Sequence, residues 1–108
     1  MTRLRPIPKR LLPDTMLVRV PDGDGGYAEG VAVARVRFVR SQAAGDDAHR
    51  SADAGQGRVF VDAHNSIGAF EVPAGSRVVI GGHSYLVERC WVRCGWDGRV
   101  HHWELDVR

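Results

Sequence analysis

"RVVIGGHSYLVERCWVR", residues 77–93, places two runs rich in β-branched and aromatic residues on either side of Gly81-Gly82. A glycine pair tolerates the positive φ that a tight two-residue turn demands, so this stretch predicts a β-hairpin. "CGWDG" (94–98) reads as a second turn and leads into "HHWELDVR" (101–108). In extended backbone, successive side chains point to opposite faces. His101, Trp103, Leu105 and Val107 then share one side, while His102, Glu104, Asp106 and Arg108 share a wholly polar one. Such alternation predicts a closing strand with one face on a core and one in water. Val78, Ile80, Tyr85, Val87, Trp103, Leu105 and Val107 are the expected core anchors. The same parity sets the two histidine rings apart, on opposite faces.

Working back toward the N-terminus, "RVFVDAH" (58–64), "GVAVARVRFVR" (30–40) and "TMLVRV" (15–20) are further strand candidates. In the longest of them Ala34, Val36 and Phe38 fall on one face, with Arg35 and Arg37 on the other. "PDGDGGY" (21–27) joins the first two candidates as a hairpin loop. No segment shows a capped 3.6-residue apolar period. Five to six strands with frequent turns predict an all-β fold, a small β-barrel or sandwich.

Two segments stand outside this pattern. Residues 1–14 carry Pro6, Pro8 and Pro13 and four basic side chains, and read as an irregular basic arm. Residues 41–57 hold no apolar side chain larger than alanine. Too little surface can be buried there to offset the entropy of ordering, which predicts a long mobile polar loop.

At 108 residues, with 44% hydrophobic and 26% charged residues, the expectation is one domain over 1–108. Fifteen basic against 13 acidic residues leave a net charge of +2, too balanced to argue strongly for nucleic acid. No apolar run nears the roughly 18 residues of a spanning helix, so no membrane role is expected, and the proline-rich N-terminus lacks an apolar stretch of signal-peptide length, so cytoplasmic synthesis is expected.

Candidate chemistry is thin. Cys90, Cys94, His101 and His102 are residue types that zinc accepts, but their spacing lacks the tight knuckle of a structural site. Asp22 and Asp24 open like a calcium loop, yet the third ligand position is Gly26 and the closing one Val33. The serines lack a G-x-S-x-G setting, and no phosphate-binding glycine loop precedes a helix. Neither an enzyme, a metal nor a cofactor is expected.

Four pieces in order carry a resemblance: "RPIPKRLLPDT" followed at once by a strand, the polar stretch between strands, "VPAGSRVVIGGHSYLVERC", and the closing "HHWELDVR". Together they resemble the small minor capsid proteins of tailed phages and prophages, related in kind to the head-completion or stopper proteins of the head-tail connector. The resemblance implies a structural protein of the virion neck. Such a protein is a monomer alone and assembles as a ring under the portal and adaptor, closing the head and docking the tail. It implies that Arg5, Lys9 and Arg10 face the neighbouring ring or portal. It further implies that Asp46, Asp47, His49, Arg50 and Asp53 line the channel, where packaged DNA is a contact. The alternative is a small OB-like or SH3-like barrel that binds nucleic acid or a peptide through its arginines.

Overall fold

Gly81 and Gly82 take φ values of 59° and 83°, the left-handed pair that lets a two-residue turn follow the right-handed twist of its strands. The hairpin they close is one part of a computed structural model that describes residues 4–40 and 56–108. Its strands are β1 (Asp14–Arg19), β2 (Val31–Arg40), β3 (Gly57–Asp62), β4 (Arg77–Ile80), β5 (His83–Cys94) and β6 (Val100–Val107). All pairings are antiparallel, and the order β1-β2-β3-β6-β5-β4 closes as β4 returns to β1. The architecture is therefore a closed barrel rather than a sandwich. Closure pairs each of the six described strands on both sides and leaves none of them an open edge.

Valine dominates the interior: Val18, Val33, Val36, Val59, Val61, Val78, Val87 and Val107 are buried with Met16, Ile80, Tyr85 and Leu105. Branched side chains suit a pleated surface and can fill the interior of a narrow barrel. Trp103 is only partly buried and packs against this core. The connector from β3 to β4 must pass between strands on opposite sides of the barrel. On its way Ile67 exchanges both backbone hydrogen bonds with Ala34, and Val72 is delivered into the core.

Three register shifts break the two-residue period. On β2 the pairs Asp14↔Val36 and Thr15↔Ala34 leave Arg35 as an extra residue, held at φ 60°. This overturns the expected face. Val36 and Phe38 do turn inward, but beyond the bulge it is Val33, not Ala34, that is buried. On β5, Glu88 is extra between Val87↔Val107 and Arg89↔Asp106, which restores Cys90 to the core side. On β6, Arg93↔His102 and Cys94↔Val100 leave His101 extra.

Two sequence boundaries shift as well. The expected loop 41–57 overlaps β3 at Gly57, which pairs with both Arg40 and Val107. A Cβ there would lie 2.5 Å from the Phe38 ring and 2.6 Å from the Val39 carbonyl oxygen, so the strand can begin there only with glycine. The arm contains a single 3-10 turn at Lys9–Leu11 before β1 begins at Asp14.

Candidate interaction surfaces

The arm is fastened to one end of the barrel by a buried carboxylate. Asp62, at the end of β3, is fully buried. Its Oδ1 accepts the Ile7 N–H at 2.9 Å, and its Oδ2 accepts the N–H groups of His64 and Asn65 at 3.0 and 2.6 Å. Asn65 Nδ2 donates back to the Ile7 carbonyl at 2.8 Å. Both polar backbone groups of Ile7 are thus satisfied by side chains from one turn, which is how a strand-less segment can lie against a barrel. Ser66 extends the cluster: its hydroxyl accepts the Asp62 N–H at 2.8 Å and donates to the carbonyl of the bulged Arg35.

His101 continues the same end. The β6 bulge brings its ring to that of His102, so the two do not lie on opposite faces: their Nδ1 atoms are 2.8 Å apart. A bulge re-aims side chains that parity would separate. His101 Nε2 meets the Arg5 carbonyl at 2.6 Å. Beside it opens a cleft of about 500 Å³ lined by Leu4, Pro6, His64, Asp97, Arg99 and His101, among others. Trp96, at the tip of the β5–β6 turn, is 81% exposed.

The outer face of β3, β6 and β5 carries a charged and aromatic network. Arg58 donates to both Asp106 and Glu104 at 2.8 Å. Glu104 also lies 2.8 Å from His102 Nε2 and 3.4 Å from Arg93 Nε. Burial raises the pKa of the Glu104 carboxyl, but the hydrogen bonds and charges of His102 and Arg93 outweigh it and hold the group below its ordinary value. Trp91 Nε1 donates to Asp106 at 2.8 Å, and the guanidinium groups of Arg89 and Arg93 lie 4.9 and 5.1 Å from the Trp91 ring centre.

The opposite outer face is mixed, with Arg19 facing Arg77 beside a short apolar row. In register, Ala32 faces Leu17 and Leu17 faces Val79 across β2, β1 and β4. Leu17, Val31 and Ile67 expose 41%, 49% and 58% of their surface.

A family model described as "Minor capsid protein" matches residues 14–107. The chain belongs to the minor capsid protein family. This minor capsid protein therefore has a structural role in the phage virion. Comparison with curated proteins and with solved structures gave no match.

The positions expected to matter fall unevenly on this minor capsid protein. Arg5, Lys9 and Arg10 are exposed on the docked arm. Asp46, Asp47, His49, Arg50 and Asp53 lie outside the described residues. Val78, Ile80, Tyr85, Val87, Leu105 and Val107 are buried together. Cys90 packs on the core, where burial and the nearby Glu71 charge push its thiol up despite a backbone hydrogen bond from Val72, while Cys94 is exposed. Asp22 closes its own turn by accepting the N–H groups of Asp24 and Gly26 at 2.7 and 3.2 Å. Among the described residues, no group of three or more His, Cys, Asp or Glu could hold a metal ion, and no helix is long and apolar enough to cross a membrane.

Sequence reasoning missed Asp62, Asn65 and Ser66. A signal was available in "VFVDAHNS" (59–66): an aspartate closing a strand, followed by asparagine and serine, is suited to accept the N–H groups of its own turn.

Proposed function

We propose that this minor capsid protein is a head-tail connector subunit of the head-closure kind. It assembles as a ring under the portal and adaptor, closes the head and docks the tail. The observation that carries the reading is the pair of unlike outer faces on a barrel without edges. The described strands offer no edge for strand addition, which favours association through side-chain surfaces. A head-to-tail ring contact uses two different patches of each subunit. The apolar row of Ala32, Leu17 and Val79, with Ile67 beside Ala34 of the same strand, supplies one, since exposed apolar patches of this kind mark association surfaces. The charged network around Arg58, Trp91 and Glu104 supplies another, and the arm residues Arg5, Lys9 and Arg10 face the ring above.

Light scattering over a concentration series, alone and with the cognate portal-adaptor complex, tests this. A monomer alone that is captured by the complex, with capture lost in Leu17→Lys and Ile67→Asp while the fold is kept, is the expected result. A chain that ignores the complex but shifts on added DNA or RNA would overturn it in favour of a nucleic-acid-binding barrel.

A further inference from the structure

The His101–His102 contact requires a count of protons. The 5.1 Å between ring centres is about the 2.8 Å nitrogen gap plus two imidazole radii, so the Nδ1 atoms point nearly straight at each other. His101 Nε2 faces a carbonyl oxygen, that of Arg5, and must therefore carry a hydrogen. His102 Nε2 faces the Glu104 carboxylate and carries one for the same reason. With both Nε2 atoms protonated, the Nδ1 contact is a hydrogen bond only when one Nδ1 holds a third proton. Two rings with three protons bear one positive charge between them.

We propose that His101 and His102 bind one proton jointly, and that this shared proton fastens the N-terminal arm to the barrel end. Removing it sets two lone pairs against each other. Adding a second sets N–H against N–H and places two cations in contact. Either change turns the rings apart and draws His101 from the Arg5 carbonyl. Docking of the arm is accordingly strongest at intermediate pH and weaker on both sides.

The surroundings suit one charge. Glu104, on the same strand, is the immediate counter-ion and is shared with Arg58 of β3 and Arg93 of β5. Asp62 of β3 lies opposite His102 in the register, its carboxylate turned to three backbone N–H groups. Arg5 of the arm, His64 of the following turn, and Asp97 and Arg99 of the β5–β6 turn stand around His101. This inference does not depend on the connector reading, because it concerns the isolated chain.

The test is nitrogen-resolved NMR of the imidazoles in the full chain, with amide-exchange protection of Ile7 measured in parallel from about pH 5 to 9, around the range where histidine ordinarily changes charge. At the protection maximum, three protons on the two rings are expected. Ile7 protection should fall roughly fivefold on either side, the factor of about one hydrogen bond, with Val61 unchanged. In His101→Gln and His102→Gln the Ile7 profile should be flat, and in His64→Gln it should keep its maximum. Two protons on the pair at the maximum, or a maximum that survives in His101→Gln, would sink the proposal. So would Nδ1 signals that move on adding zinc and return with a chelator. The wild-type proton count stands as a test even where a variant fails to fold.

Discussion

Ile7 and Asp62, 55 residues apart in the chain, are joined by a backbone N–H that donates to a buried carboxylate oxygen at 2.9 Å. The same carboxylate organises the turn after β3, so the arm and the barrel end are stabilised by one group. Asp62→Ala should lower stability by about 3 kcal/mol, because it leaves several N–H groups without an acceptor. Ile7→Pro removes only one donor and should cost about 1 kcal/mol. Urea unfolding of both variants checks the ranking, and equal losses would mean that the arm contact dominates.

Arg35 sits at φ 60°, a conformation that glycine adopts freely and branched side chains resist. Relief of the left-handed strain, about 1–2 kcal/mol, opposes the extra entropy that glycine loses on folding. Arg35→Gly should therefore raise stability by roughly 0–1 kcal/mol, and Arg35→Val should lower it. Thermal melts that reverse this order would show that the bulge is not what holds β2 in register.

The Glu104 carboxyl is held below its ordinary value of 4.5. A depressed folded-state pKa contributes stability that is present above the unfolded value and lost as pH falls through the folded one. Because the Arg58 and Arg93 side chains are 40% and 44% exposed, solvent screens these pairs, and the contribution should not exceed about 1 kcal/mol. Denaturant midpoints taken downward from about pH 6 should fall less steeply in Glu104→Gln than in the wild type. Parallel acid limbs would contradict the ion-pair account of this face.

Trp103 packs against the core, yet its buried Nε1 has no hydrogen-bond partner among the described residues. Trp103→Ala should cost about 3 kcal/mol, the low end for a large aromatic, since the ring is only partly buried. Trp103→Phe should stay within about 1 kcal/mol of wild type, because the lost area is offset by removal of the orphan donor. A melting curve unchanged in Trp103→Ala would take that ring out of the core.

The strands, the turns between them and most of the core were legible in the sequence, because they follow from local rules. Alternation along "HHWELDVR" identifies Leu105 and Val107 as inward, and Gly81-Gly82 permits only a tight hairpin. The hairpin neighbours were legible, but the pairings of β3 with β6 and of β1 with β4 were not, since they join strands across long stretches of chain. The bulges at Arg35, Glu88 and His101 follow from strand pairing: an extra residue is defined only against a partner strand. Local parity therefore separated His101 from His102, whereas the partner strand's register brought their rings together. Likewise an aspartate closing a strand reads as an ordinary turn residue until an arm 55 positions away supplies the donor that buries it. Local pattern fixes which residues extend and, between bulges, which face inward. Tertiary structure decided which strands meet and, through their register, where the polar groups converge.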